Sequence, residues 1–118
     1  MKLFLDTNVV IDFCVERVPF YESVAGIIEL ARRSEVALVA SSLTVVNTAY
    51  VLRKVLGWEA VYPKLLQLMK LIAVSPVDDD VVRMAVLSGR KDFEDSIQYY
   101  SALKSESDLI VTRDKSVK

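Results

Sequence analysis

Two acidic residues each follow a short apolar run of the kind that forms a buried strand. Asp6 comes directly after residues 3–5, and Asp114 comes shortly after residues 109–111. Parallel strands end at one edge of a sheet, and ligands of such sheets bind beyond that edge. We therefore expect the two carboxylates to share a site, the alternative being that each caps a helix or turn.

A second pair of acids stands at the predicted start of a late helix. Asp92 and Asp95 are three residues apart, which places them on one face of that helix, with Glu94 turned away. Acids in a first turn also stabilise the helix through its dipole, so this pair has two explanations. The run Asp78–Asp80 has the same position, but no strand end points at it, and we interpret it as solvated charge.

Asn47 lies between Leu43 and Tyr50 on the predicted apolar side of a helix. A buried amide needs hydrogen-bond partners. It could brace the neighbouring loop, or it could face the carboxylates, where its carbonyl oxygen can ligate a hard cation or orient a bound water. The sequence leaves both interpretations open.

Carboxylates are the main candidates for chemistry because the chain has no histidine. This excludes histidine-based acid-base catalysis, nucleophiles activated by histidine and histidine-ligated zinc. Several carboxylates at one place repel each other, and a divalent cation keeps them ionised at neutral pH. We predict a Mg²⁺ or Mn²⁺ site, whose bound water can become a nucleophile and whose usual substrates are phosphates.

Basic residues flank the later acids. They are Arg90 and Lys91 before Asp92, and Arg113 and Lys115 on either side of Asp114. Cations beside a metal site suit the phosphates of a nucleic acid backbone. Ordinary balance of surface charge explains them equally well.

The composition sets the broad class of the protein. The chain has 118 residues, 53% of them hydrophobic, and a formal charge of −1, so it has no bulk attraction for nucleic acid or acidic lipid. Its single cysteine, Cys14, allows no internal disulfide and is predicted to be a small buried group. No stretch resembles a signal peptide or a membrane span, which predicts a soluble, cytoplasmic protein without membrane contact.

Strand-like and helix-like segments alternate along the chain. Strands are predicted at 3–5, 36–40, 72–74 and 109–111, and helices at 9–14, 20–31, 43–56, 59–70, 81–88 and 93–104. The third helix is expected to bury Leu43, Val46, Ala49 and Tyr50. This order predicts one α/β domain over residues 1–118, built on a parallel sheet.

Four stretches resemble the motifs of the PIN-domain family, small nucleases that include many toxins of prokaryotic toxin–antitoxin pairs. They read LFLDTNVVIDF, SSLTVVNTAYVL, DFEDSIQYYSA and LIVTRD, in this order. The resemblance covers nearly the whole chain. It implies a three-layer α/β/α sandwich whose first strand is central and lies next to the strand ending at Thr112.

The resemblance also implies roles for individual residues. Asp6, Asp95 and Asp114 would be catalytic metal-binding acids, and Asp92 would be a further ligand or would hold a water. The supporting residues would be Asn8 and Thr112, which position the cluster through hydrogen bonds. The implied activity is Mg²⁺- or Mn²⁺-dependent endonuclease cleavage, most often of RNA.

Implied partners are the RNA substrate, an antitoxin protein and a second copy of the chain in a homodimer. An apolar face around Tyr21, Trp58 and Tyr62 could serve a protein partner, although aromatic side chains in a small α/β domain usually lie in the core.

Two departures from the family pattern bear on activity. The second motif usually carries a glutamate where this chain has Asn47, and Asp92 or Glu94 could compensate. The family commonly adds a strand after the fourth motif, so the sheet is expected to lack its final strand or to gain one from a partner. The first rival interpretation is an inactive PIN-like module that binds RNA or protein. The second rival is a phosphotransferase or receiver domain. A haloacid-dehalogenase-like phosphatase would need an acid where this chain has Asn8, and a receiver would need a lysine where this chain has Asp114.

Overall fold

The computed structural model describes residues 1–113, so the predicted site residues Asp114 and Lys115 lie outside the described part. Within that part the strands are β1 Lys2–Leu5, β2 Ala37–Ser41, β3 Ile72–Ser75 and β4 Leu109–Val111, and the helices are α1 Thr7–Cys14, α2 Tyr21–Arg32, α3 Ser42–Leu56, α4 Trp58–Met69, α5 Asp79–Ser88 and α6 Phe93–Lys104. Every predicted element is present. None of the helices in residues 1–113 is long and apolar enough to cross a membrane.

The strands form one parallel sheet in the order β3-β2-β1-β4. Phe4 of β1 pairs with Val39 of β2 on one side and with Ile110 of β4 on the other. The predicted central position of β1 beside β4 is therefore confirmed. The backbone amide of Asp6 donates to the carbonyl of Val111 at 3.0 Å, which continues this pairing to the edge where both strands end.

Helices cover both faces of the sheet. Alternate residues of a strand point to opposite faces, and here Leu3 and Leu5 pack in a core with residues of α1, α2, α3 and α4. Phe4 points the other way and packs against Ala102 of α6. Cys14 is buried in the first core, and burial raises the pKa of its thiol to about 11. The fold is the predicted three-layer α/β/α sandwich.

The acidic run 78–80 stands at the start of α5, as the sequence predicted, but it also makes contacts within the fold. Asp78 caps α5 by accepting a hydrogen bond from the backbone amide of Val81 at 3.1 Å. Its carboxylate also contacts the ammonium group of Lys104 in α6, and Asp80 adds a second contact to that group. These charges therefore tie α5 to α6.

The predicted apolar face of α3 is correct for Leu43 and Ala49, which pack against the cores, and wrong for Val46 and Tyr50. Val46 and Tyr50 are 52% and 55% exposed, whereas the buried positions are Thr44, Thr48 and Leu52. Helical spacing alone placed the larger apolar side chains inside. The helix instead turns Thr44 inward, where its hydroxyl has hydrogen-bond partners.

A buried acid joins α1 to the chain after β4. Asp12 is fully buried, and its carboxylate contacts the guanidinium groups of Arg17 at 3.4 Å and Arg113 at 2.7 Å. The Arg113 guanidinium also lies over the ring of Phe20, 4.3 Å from its centre. A carboxylate out of water is stable only when its charge is compensated, so these contacts fix the chain just beyond β4.

Replacing Arg113 should destabilise the fold measurably. Arg113→Ala leaves the buried Asp12 carboxylate with Arg17 alone, and we expect the free energy of unfolding to fall by about 2 kcal/mol in urea titrations. Arg33→Ala is the control, because the pair between Arg33 and Glu29 is mostly exposed at 63% and 50%. That variant should stay within about 0.5 kcal/mol of the wild type. Equal losses of unfolding free energy in both variants would contradict a stabilising role of the contact between Asp12 and Arg113.

The Asp78 contact predicts a pH dependence of stability. Asp78→Asn keeps an oxygen that can cap α5 but removes the charge. The hydrogen bond from Lys104, with a smaller contribution from the amide of Val81, lowers the pKa of Asp78 below its ordinary value of 3.8. The wild type should be more stable than the variant above that value, and its advantage should disappear as the pH falls through the lowered pKa. Denaturation midpoints across this range test the prediction, which fails if the difference persists in acid.

Candidate active site

A polar cavity of about 220 Å³ lies at the carboxyl edge of the sheet, where α1 and α6 begin. Its lining residues are Asp6, Thr7, Asn8, Asp92, Glu94 and Asp95. Residues from the two ends of the chain meet here because β1 lies centrally and α6 packs beside it. The structure thus brings together four residues predicted for the site, namely Asp6, Asn8, Asp92 and Asp95.

The carboxylate of Asp6 is held from two sides. It caps α1, and its Oδ1 accepts a hydrogen bond from the backbone amide of Thr7 at 2.8 Å. Its Oδ2 accepts a hydrogen bond from the hydroxyl of Thr112 at 3.0 Å. Only 9% of the residue is exposed, so the group has one defined orientation at the cavity wall.

The positions of Asp92 and Asp95 agree with both explanations that the sequence allowed. Asp92 caps α6, with its Oδ1 accepting a hydrogen bond from the backbone amide of Asp95 at 3.1 Å. Both residues also line the cavity. Capping and a place in the site are therefore compatible, because the beginning of α6 opens directly into the cavity.

The prediction that Glu94 turns away from the other acids is wrong. Glu94 lines the same cavity as Asp92 and Asp95. The cavity surrounds the beginning of α6, so it reaches residues on more than one face of the helix. Asn47 of α3 is not a lining residue, and its side-chain amide donates to Oε1 of Glu94 at 3.1 Å. Of the two interpretations of Asn47, this hydrogen bond favours a supporting role, and the group that Asn47 supports is the Glu94 carboxylate.

The predicted phosphate-binding residues lie in different environments. The guanidinium of Arg113 is bonded to Asp12, so the fold already uses it. Arg90 lies over the ring of Tyr99, 4.6 Å from its centre, and the neighbouring Lys91 is exposed. The remaining candidate, Lys115, is outside the described residues.

The donor types fit a hard divalent cation. The lining side chains offer carboxylate oxygens and the amide of Asn8, which are the ligands that Mg²⁺ and Mn²⁺ prefer. Within residues 1–113, no three acidic or other metal-ligating side chains are grouped closely enough to hold one ion together. The described residues therefore provide the donors around a cavity, and Asp114 is the predicted ligand not included among them.

Sequence reasoning missed a buried hydrogen-bond network beneath the cavity, which we call the Gln98 network. Gln98 of α6 donates from Nε2 to the hydroxyls of Thr7 at 2.6 Å and Thr44 at 2.7 Å. Its Oε1 accepts from the hydroxyl of Ser41 at 2.8 Å, and the two threonine hydroxyls are 2.8 Å apart. The available signal was a glutamine between Ile97 and Tyr99 in the third motif, together with serine and threonine at the start of α3.

Fold and site together define a parallel α/β/α protein with an acid-lined cavity at the carboxyl edge of its sheet. The sequence profile of the PIN domain matches residues 2–116, and the chain belongs to the PIN-domain family. No curated protein matches the chain in sequence.

Two solved structures share this fold with the chain. One is VapC20 of Mycobacterium tuberculosis, described as a sarcin-ricin loop cleaving toxin, with 14% identity and a TM-score of 0.74 over 95% of this chain and 89% of that one. The other is VapBC2 of Rickettsia felis bound to a DNA fragment from their promoter, with 14% identity and a TM-score of 0.70 over 98% of this chain and 90% of that one. At this identity the similarity establishes a shared fold.

Proposed function

We propose that this PIN-domain protein is a divalent-metal-dependent endoribonuclease that hydrolyses RNA phosphodiester bonds, and that it is the toxin of a toxin–antitoxin module. The observation that carries the proposal is the cavity lined by Asp6, Asp92, Glu94 and Asp95. Membership of a nuclease family supports the reaction, and the shared fold of VapC20, a toxin that cleaves the sarcin-ricin loop, supports an RNA substrate.

Asp6, Asp95 and Asp114 would hold the Mg²⁺ or Mn²⁺ ion. Asp92 would hold one of its waters, because no three acids in residues 1–113 are grouped closely enough to bind one ion together. When bound, such an ion supplies an activated water and stabilises charge that develops at the phosphate. The chain contributes fixed oxygen donors, since Thr112 and the amide of Thr7 hold the Asp6 carboxylate before any ligand arrives. Pre-positioned donors bind an ion without a further cost of ordering the side chains.

Glu94 supplies the carboxylate that the family usually carries at the position of Asn47. Two observations support this replacement: Glu94 lines the cavity, and the Asn47 amide donates to its carboxylate at 3.1 Å. In this chain the amide stands on α3 and the acid on α6. The negative charge therefore stays at the cavity, and Asn47 orients it.

A protein partner would cover the apolar surface of α4. Trp58 and Tyr62 are 53% and 66% exposed, and their rings are stacked with centres 6.2 Å apart. Leu66, one turn further along, is 64% exposed. Large apolar side chains grouped at a surface are typical of a protein interface. An antitoxin or a second copy of the chain is the proposed occupant, and the solved VapBC2 assembly supports the former.

Loss of the central acids should abolish cleavage. Asp6→Asn and Asp95→Asn keep the size of each side chain but remove a charged metal ligand, and we expect cleavage of labelled RNA with Mn²⁺ to fall about 100-fold or more. Asp79→Asn is the control, because Asp79 is 73% exposed and pairs with Arg83 away from the cavity. A well-folded wild type that binds RNA without cutting it would instead identify an inactive PIN-like module.

The replacement of the usual glutamate by Glu94 can be tested by moving the negative charge from α6 back to α3. Glu94→Gln should weaken Mn²⁺ binding about tenfold, measured by calorimetry, because it removes a charged oxygen from the cavity. The double variant Asn47→Glu/Glu94→Gln returns the charge to α3 and should recover most of the affinity. Glu59→Gln, at the exposed start of α4, serves as the control. If the double variant does not recover Mn²⁺ affinity, the proposal that Glu94 replaces the usual glutamate is contradicted.

A further inference from the structure

We propose that Gln98, together with Thr44, positions the carboxylates of the cavity through Thr7. This role rests on the proposed metal-dependent function. Gln98 does not line the cavity, and its side chain bonds to Ser41, Thr7 and Thr44, so it acts as a positioning residue through the elements that carry the acids.

The Gln98 network is shielded from water. Ser41 and Thr44 are fully buried, and Thr7 and Gln98 are 8% and 4% exposed. Buried amides and hydroxyls cost free energy unless each finds a partner, and an apolar side chain of similar volume would avoid that cost. Both amide hydrogens and the carbonyl of Gln98 are bonded here. A satisfied network of this kind fixes a single relative arrangement of the groups it joins.

Its members lie on the elements that carry the site. Gln98 comes one helical turn after Asp95 on α6, and Thr44 comes one turn before Asn47 on α3. Thr7 begins α1, and its backbone amide holds Oδ1 of Asp6. One buried amide therefore links the beginnings of α1 and α3 to α6. Through these links it sets the position of Asp6 relative to Asp92, Glu94 and Asp95.

The chain contains a matched control for this role. Thr48 lies one turn beyond Thr44 on the same helix, and both residues are fully buried. The hydroxyl of Thr48 has no hydrogen-bond partner among residues 1–113. Replacing either threonine by valine changes the side chain in the same way, but only one change removes a member of the Gln98 network.

The test compares the affinity for Mn²⁺ with thermal stability in the full chain. Gln98→Met, Thr44→Val and Thr48→Val are studied with the wild type, and the free Mn²⁺ is measured by its paramagnetic resonance well below each melting temperature. We expect Gln98→Met and Thr44→Val to bind Mn²⁺ about tenfold more weakly, as for outer partners of metal ligands. Thr48→Val should keep the wild-type affinity.

The two measurements separate positioning from a purely structural role. If the network only stabilises the fold, its variants melt at a lower temperature but the folded protein keeps its Mn²⁺ affinity, and the inference is overturned. If Gln98→Met does not fold, the Mn²⁺ affinity of Thr44→Val tests the inference alone. A wild type that binds no Mn²⁺ would overturn the proposed function itself, and this inference with it.

Discussion

The pairing of β1 with β4 is the interaction on which the rest of the site depends. It joins residues from opposite ends of the chain, with Phe4 opposite Ile110, and it is parallel, so both strands end at the same edge. The next residues along the two strands, Asp6 and Thr112, then meet in a hydrogen bond of 3.0 Å. Without this pairing, Thr112 of the fourth motif could not hold the Asp6 carboxylate at the cavity wall.

Helix beginnings make it possible to gather acids at this edge. Asp6 caps α1 and Asp92 caps α6, so each carboxylate accepts a hydrogen bond from a free backbone amide. The positive end of each helix dipole also favours a negative charge at that place. Capping and participation in a site were treated as alternatives at the level of sequence. In the folded chain, capping places these carboxylates at the cavity, so the two interpretations agree.

Local patterns were sufficient to predict the elements and to place Asp6, Asn8, Asp92 and Asp95 near one another, because apolar runs, capping residues and strand ends are encoded by neighbours in the chain. Three features depend on contacts between distant residues and could not be predicted in this way. Glu94 enters the cavity because the beginning of α6 opens into it. Thr44 faces inward because Gln98, 54 positions away, donates to its hydroxyl at 2.7 Å. The role of Asn47 follows from its hydrogen bond to Glu94. The two residues lie on different helices, so no helical spacing in the sequence connects them.

Two acids of this protein are held in different ways, and the difference separates a structural carboxylate from one that is proposed to bind a metal ion. Asp12 is fully buried and meets two guanidinium groups, which compensate its charge within the fold. The hydrogen bonds that hold Asp6 come from neutral donors, the amide of Thr7 and the hydroxyl of Thr112. Neutral donors fix the direction of a carboxylate and leave its negative charge available. An acid oriented in this way at the wall of a polar cavity is suited to bind a cation supplied from outside, whereas Asp12 is not.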